Sequence, residues 1–90
     1  MELSELREEI DQIDTELTRL FLRRMEVSRQ IAEVKAAKGL PIRNAAREAA
    51  VLESVSAAAP TELKTSVRAL YTEIMRLSRE YQSQLYPELK

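Results

Sequence analysis

The sequence predicts an all-α fold, and three observations support this prediction. The 90 residues include one Gly and three Pro, and the long intervals between them are rich in the helix-favouring residues Ala, Leu, Glu and Arg. No interval shows the sustained polar–apolar alternation of a half-buried strand. Apolar residues instead recur at heptad spacing towards the N-terminus. We expect one domain over residues 1–90, with helices at about 3–38, 44–58 and 62–85.

The first helix carries two apolar columns of a heptad repeat. One column consists of Leu3, Ile10, Leu17, Arg24 and Ile31, and the other of Leu6, Ile13, Leu20, Val27 and Val34. This pattern is typical of a coiled-coil seam, with Arg24 as its single polar member.

Turn and cap residues set the predicted helix boundaries. Gly39 suits a left-handed C-terminal cap, and Pro41 prevents the first helix from continuing. Asn44 suits the N-cap of the second helix, and Thr61, after Pro60, that of the third. The third helix has its own apolar stripe, made of Leu63, Val67, Leu70, Ile74, Leu77, Tyr81 and Leu85.

The length of the first helix predicts a second copy of the chain. At 1.5 Å per residue this helix is about 54 Å long, whereas a compact 90-residue domain has a radius of gyration of about 12 Å and a diameter of roughly 31 Å. The helix therefore overhangs a compact monomer and exposes its seam. We expect a two-fold, intertwined homodimer that buries both seams. The alternative is a broken first helix in a monomeric bundle, but neither Gly nor Pro interrupts residues 3–38.

Composition narrows the classes of function. Without Cys or His, the chain lacks thiolate chemistry and the commonest general base and metal ligands, so we expect neither a metal nor a cofactor. Fourteen basic and fifteen acidic residues give a net charge of −1, which does not favour nucleic acid as a partner. No run of 18 apolar residues predicts a membrane span, and the acidic, periodic N-terminus is unlike a signal peptide. We therefore expect a cytoplasmic protein.

Polar side chains occupy the inward face of the first helix. At 100° per residue, Arg24, Ser28 and Lys35 fall within about 40° of one another. Because burying unpaired cations is costly, they need acidic partners or an anionic ligand. The alternatives are an ion pair for Arg24 with another helix, a favourable helix C-terminus for Lys35, and a small packing role for Ser28.

Further polar residues could join this group. Glu48 shares a stripe with apolar residues of the second helix, and Ser78 and Gln82 border the stripe of the third. Each has an ordinary explanation, as a partner for Arg24 or Lys35 in the first case and as amphipathic edge residues in the others. Arg7 lies about 25 Å along the helix from Arg24, so it reaches the same ligand only from the partner of an antiparallel dimer; otherwise it is a solvated surface residue.

This set of side chains can orient a small dianion and stabilise developing charge. It contains no nucleophile–base pair and no phosphate-binding loop. Catalysis by shape and electrostatics alone suits an intramolecular rearrangement.

Several motifs resemble the all-helical (type II) class of chorismate mutase. They are L-R-x-x-I-D-x-I-D from Leu6, the Arg23–Arg24 pair, Lys35 near the helix end, and P-[IV]-R-[DN]-x-x-R-E from Pro41. The resemblance extends through Ser78 and Gln82, and so covers nearly the whole chain. It implies an intertwined dimer with two sites, each built from both chains, that converts chorismate to prephenate by a Claisen rearrangement in aromatic amino-acid biosynthesis.

The resemblance also implies a role for each site residue. Arg7 of the partner, Arg24 and Arg47 would hold the two substrate carboxylates, with support from Ser78. Lys35 and Gln82 would bind the ether oxygen as its bond breaks, and Glu48 would accept the ring hydroxyl. Lys35, Gln82, Arg24 and Glu48 are the expected catalytic residues, and Asn44 completes the expected binding set.

One position departs from the commonest family pattern, since Asn44 stands where many members have Asp. As a helix cap Asn serves equally well; if a carboxylate itself helps to hold the ring hydroxyl, affinity falls.

Two rival functions stay open at this point. One is an isochorismate-pyruvate lyase with the same fold, against which Glu48 argues; the other is a non-catalytic dimerisation or regulatory module, against which Arg24 argues. Association with another aromatic-pathway enzyme also stays open.

Overall fold

The computed structural model describes residues 2–89, which form three α-helices and no strands. Helix α1 spans Leu3–Lys38, α2 spans Ala45–Ala57, and α3 spans Lys64–Leu85. The all-α prediction is confirmed, and the helix boundaries agree with the prediction to within two residues. None of the three helices described has the length and hydropathy that a bilayer crossing requires.

Local chemistry explains where α1 ends and α2 begins. Gly39 has a φ of 67°, and the Leu40 N–H donates to the Lys35 carbonyl at 2.9 Å, as in a Schellman motif. Asn44 is the predicted N-cap of α2, and its side-chain oxygen accepts from the Arg47 N–H at 3.0 Å. These two caps fix the short connection that carries Pro41 and Ile42 past the end of α1.

The prediction for Thr61 is wrong. A single 3₁₀ turn spans Thr61–Leu63 before α3, and the Thr61 side chain caps neither element. The Leu63 N–H donates to the Pro60 carbonyl at 2.9 Å, so the chain after this proline tightens into i→i+3 bonding before the α-helix starts.

Helix α3 packs against both α2 and the C-terminal half of α1. Ser28 and Ala32 of α1 are buried, as are Met75 and Gln82 of α3, and the Gln82 side chain bonds Ser28 across the contact. The buried side chains of α3 thus border the apolar stripe predicted from the sequence, while Leu63 and Leu70 of that stripe stay exposed.

The N-terminal half of α1 extends beyond the other helices. Every residue from 2 to 20 is exposed, and the chain measures 54 × 26 × 14 Å with a radius of gyration of 16.1 Å, against about 12 Å for a compact chain of this size. The predicted overhang is present, and the broken-helix alternative is wrong. Within residues 2–89 the buried apolar side chains are Ala32, Met75 and Leu89, a small core for a lone domain.

Candidate active site

A cavity of about 360 Å³ lies between the C-terminal half of α1, the start of α2 and the second half of α3. Its volume falls in the range of about 300–1,000 Å³ that is usual for small-molecule sites. Seven of the eight site residues predicted from the sequence line it, and so does Ser28. The eighth, Arg7, is exposed on the overhanging part of α1 and does not line the cavity of its own chain.

Arg24 projects from α1 towards α3. Its Nη1 donates to the Ser78 hydroxyl at 3.1 Å, and its guanidinium carbon lies 5.9 Å from the centre of the Tyr71 ring, within cation–π range. The Ser78 hydroxyl in turn lies 3.7 Å from the Met25 sulfur. Arg24 forms no ion pair with the carboxylates of residues 2–89, so the ion-pair alternative is wrong and its positive charge remains available to an anion.

Gln82 ties α3 to α1 at the cavity wall. Its side chain is 5% exposed, and its Nε2 donates to the carbonyl and the hydroxyl of Ser28, at 3.0 and 3.1 Å. Both acceptors belong to one residue, which explains why a polar Ser28 is buried at this helix contact. The amide is therefore held in a fixed position facing the cavity.

Lys35 lies at the end of the cavity near the α1–α2 connection. Its Nζ donates to the Ile42 carbonyl, so the connection between the helices holds the ammonium in place. Partial burial lowers the pKa of Lys35 below its ordinary value of 10.5, and the nearby negative charge of Glu48 partly offsets this effect. The protonated amine can donate to an acceptor in the cavity.

The first turn of α2 contributes Arg47 and Glu48, which follow the Asn44 cap. All three line the cavity, and the Arg47 guanidinium forms no ion pair with the described part of the chain. Glu48 is half-buried and forms an ion pair with neither Arg24 nor Lys35, so the alternative that it serves as their partner is wrong. Its carboxylate is instead held by Arg79 at 2.5 Å, and Arg43 lies 3.7 Å from its other oxygen.

Arg79 is a polar cavity residue that was not predicted from the sequence. It lines the cavity from α3, one turn before Gln82, and bridges to a helix 31 residues away. A signal for it exists in the sequence. Arg76, one turn earlier, pairs with Glu73 and Glu80 of its own helix, whereas Arg79 has no acidic residue three or four positions away and needs a partner elsewhere.

The arrangement concentrates positive charge around one carboxylate. Three cations, Arg24, Lys35 and Arg47, line the cavity and form no ion pair with the described residues. The Glu48 carboxylate, by contrast, forms an ion pair with Arg79. Apolar side chains, among them Ile31, Val51 and Met75, form the rest of the wall. Such a site can hold a small dianion and offer fixed donors to a third polar atom.

Comparison with known sequences identifies the family to which this site belongs. The sequence model described as chorismate mutase type II matches residues 6–83, which include all eight predicted site residues. The chain belongs to the chorismate mutase type II family. The resemblance read from the motifs of the sequence is thereby confirmed at the level of family.

Two curated relatives from different bacteria show how far the similarity extends. The chain is 32% identical over 87 residues to a bifunctional chorismate mutase/prephenate dehydratase of Aquifex aeolicus, covering 97% of this chain and 19% of that protein. It is 46% identical over 52 residues to the T-protein of Haemophilus influenzae, covering 58% of this chain and 14% of the relative. The chain thus spans about a fifth or less of the length of these relatives.

Proposed function

We propose that this chain catalyses the rearrangement of chorismate to prephenate, in a site completed by a second copy of the chain. The observation that carries the proposal is the cavity itself, which is lined by three cations that have no bound carboxylate, together with Glu48 and Gln82. The reaction breaks a carbon–oxygen bond and forms a carbon–carbon bond within one molecule. It needs neither a nucleophile nor a proton donor, only a fixed substrate shape and stabilised charge.

Each donor in the cavity has a task in this reaction. Arg24 and Arg47 hold the carboxylates of the dianion, and two fixed ends restrict its flexible chain to the reactive geometry. Lys35 donates to the ether oxygen, where negative charge grows as the bond lengthens. Glu48 accepts a hydrogen bond from the ring hydroxyl, and Ser78, which already bonds Arg24, supports a carboxylate.

Gln82 reaches the ether oxygen by an exchange of acceptors. Its Nε2 carries two hydrogens, and both acceptors in the unliganded chain belong to Ser28. When substrate binds, one hydrogen keeps its bond to the Ser28 carbonyl and the other turns from the Ser28 hydroxyl to the substrate. The amide is thus pre-positioned, and only one neutral hydrogen bond is exchanged.

The exposed seam of α1 supports a homodimer. Ile10 is 55% exposed and Leu17 is 56% exposed, and the other apolar seam residues in the overhang are exposed to similar degrees. On α3, Leu63 and Leu70 are also exposed. Because monomeric proteins rarely leave so extended an apolar face in water, a second copy is the covering partner that we propose.

Charge along α1 favours an antiparallel arrangement of the two copies. Residues 3–20 contain six acidic and two basic side chains, a net charge of −4, whereas residues 21–38 contain five basic and two acidic ones, a net charge of +3. Antiparallel pairing brings each acidic half against the basic half of the other helix, whereas parallel pairing places like charges together.

This arrangement brings the partner's Arg7 to the cavity if the two-fold axis lies near the middle of the α1 seam. In an antiparallel pair, residues equally far from the two-fold axis face each other. An axis beside Leu17 and Thr18 sets residue 7 of one helix level with Ser28 of the other, in the middle of the cavity wall that α1 provides. Packed helices lie about 8–10 Å apart, a gap that an arginine side chain spans.

The direct test is to incubate the purified chain with chorismate and, separately, with isochorismate, and to identify the products. Prephenate from chorismate supports the proposal. Pyruvate from isochorismate, without prephenate, overturns it in favour of a lyase on the same fold, and absence of turnover of both substrates favours a binding module. A Glu73→Ala variant, altered on the exposed face of α3 away from the cavity, serves as the matched control.

The name of the Aquifex relative supports a further part of the proposal, that this chain works beside an enzyme that consumes prephenate. That relative is described as both a chorismate mutase and a prephenate dehydratase. Co-purification of the chain with such an enzyme would support the association, and independent elution of the two proteins would argue against it. A cytoplasmic location stays a prediction.

A further inference from the structure

Glu48 is the single acidic side chain among the described residues that line the cavity, and it lies among several cations. Lys35 and Arg47 also line the cavity, and the negative charge of Glu48 acts on Lys35, raising its pKa against the effect of burial. A carboxylate free to turn could therefore pair with Lys35 and neutralise the donor that the ether oxygen needs. Some feature of the site has to hold this carboxylate to one side.

Arg79 provides that feature. Its Nη1 bonds Glu48 Oε2 at 2.5 Å, and the two side chains are 28% and 18% exposed. Arg43 approaches the other oxygen at 3.7 Å, but its side chain is 66% exposed and lies in the loop before α2. The close, sheltered partner is thus on α3, and the distant one is largely in solvent, where ion pairs contribute little.

We propose that Arg79 is a positioning residue, which holds the Glu48 carboxylate on the α3 side of the cavity so that Lys35 stays available to the substrate. This inference rests on the proposed mutase function. It assigns Arg79 no contact with the substrate; Arg79 acts through Glu48. With Oε2 bound to the guanidinium, Oε1 remains to accept the ring hydroxyl, so one contact both orients the acceptor and keeps Lys35 free to donate.

The test is a double-mutant cycle on chorismate turnover. We expect Arg79→Ala to lower kcat/KM by about 10- to 100-fold, the range expected when a group beside the reacting atoms is misplaced. Most of the loss should fall on kcat, because the binding arginines are untouched. Arg79→Lys, which keeps the charge but lacks the planar fork, should restore part of the rate. In a Glu48→Gln background, the Arg79→Ala change should leave kcat/KM unchanged.

Two variants serve as controls. Arg76→Ala removes an arginine from the same helix, on an exposed face where it pairs with Glu73 and Glu80, and should leave kcat/KM at the wild-type value. Arg43→Ala removes the distant partner of Glu48 and should have a much smaller effect than Arg79→Ala. Wild-type turnover by the Arg79→Ala variant, or an equal loss in the Glu48→Gln background, would overturn the inference.

A crystal structure of the Arg79→Ala variant tests the inference without turnover. We expect the Glu48 carboxylate to swing towards Lys35 and form an ion pair with it. A carboxylate that keeps its position would overturn the role of Arg79 even in an active enzyme. If instead the wild-type chain forms no prephenate, the proposed function fails, and the position of Glu48 in this crystal still decides whether Arg79 holds it.

Discussion

Replacing Lys35 with alanine removes the donor on which the proposed charge stabilisation most depends. Lys35 is held by the Ile42 carbonyl and lines the cavity from the end of α1, so its ammonium needs little reorganisation when substrate binds. Loss of one such preorganised donor costs roughly 2.7–4 kcal/mol in comparable sites, or about 10²–10³ in kcat. Gln82, the second donor that we propose for the same oxygen, carries no charge, so it cannot compensate.

The assay follows loss of chorismate by ultraviolet absorbance and identifies prephenate as the product. Lys38→Ala is the matched control, because Lys38 lies in the same last turn of α1 but is exposed and outside the cavity. Circular dichroism should show the same helicity in both variants. If Lys35→Ala, folded and dimeric, kept a kcat within about tenfold of wild type, or 1.4 kcal/mol, the assigned mechanism would be refuted.

Three further outcomes follow from the same contacts. Burial lowers the pKa of Lys35, and the ammonium is the form that donates to the growing negative charge, so kcat/KM should decline with rising pH at a midpoint below 10.5. The decline in kcat should come at a higher pH than the decline in kcat/KM, because the bound dianion favours the ammonium. Asn44→Ala should lower the free energy of unfolding by about 1 kcal/mol in urea titrations, whereas Asn44→Asp, which keeps the bond to the Arg47 N–H, should not. Lys64→Met should cost about 1 kcal/mol by the same measurement, since Lys64 donates to the Ser56 carbonyl at the C-terminus of α2, whose own last turn has no basic residue.

Much of the fold could be predicted because strong local signals mark it. Gly39, Pro41 and Asn44 each impose a backbone requirement that few alternatives satisfy, so the end of α1 and the start of α2 are fixed locally. The heptad seam and the absence of Gly and Pro gave the length of α1. The start of α3 was harder, because Thr61 after Pro60 is compatible with either a cap or a 3₁₀ turn, and packing decides between them.

The site was predictable where helical periodicity alone brings residues together. Arg24, Ser28 and Lys35 share a face by spacing, and all three line the cavity. The partners of these residues were not predictable, because contacts between helices depend on how the helices pack. The bond from Gln82 to Ser28 and that from Arg79 to Glu48 join residues 54 and 31 positions apart, and no local pattern encodes either distance.

We propose that each site takes Arg24 from one chain and Arg7 from the other, and mixing two inactive variants can reveal this sharing. Subunits carrying Arg7→Ala should be dissociated, mixed in equal amounts with subunits carrying Arg24→Ala, and allowed to reassociate. Half of the dimers should then be heterodimers with one intact site each, so the mixture should recover about a quarter of wild-type activity. Activity no higher than that of the separate variants, in a mixture that native mass spectrometry shows to contain heterodimers, would contradict the shared site.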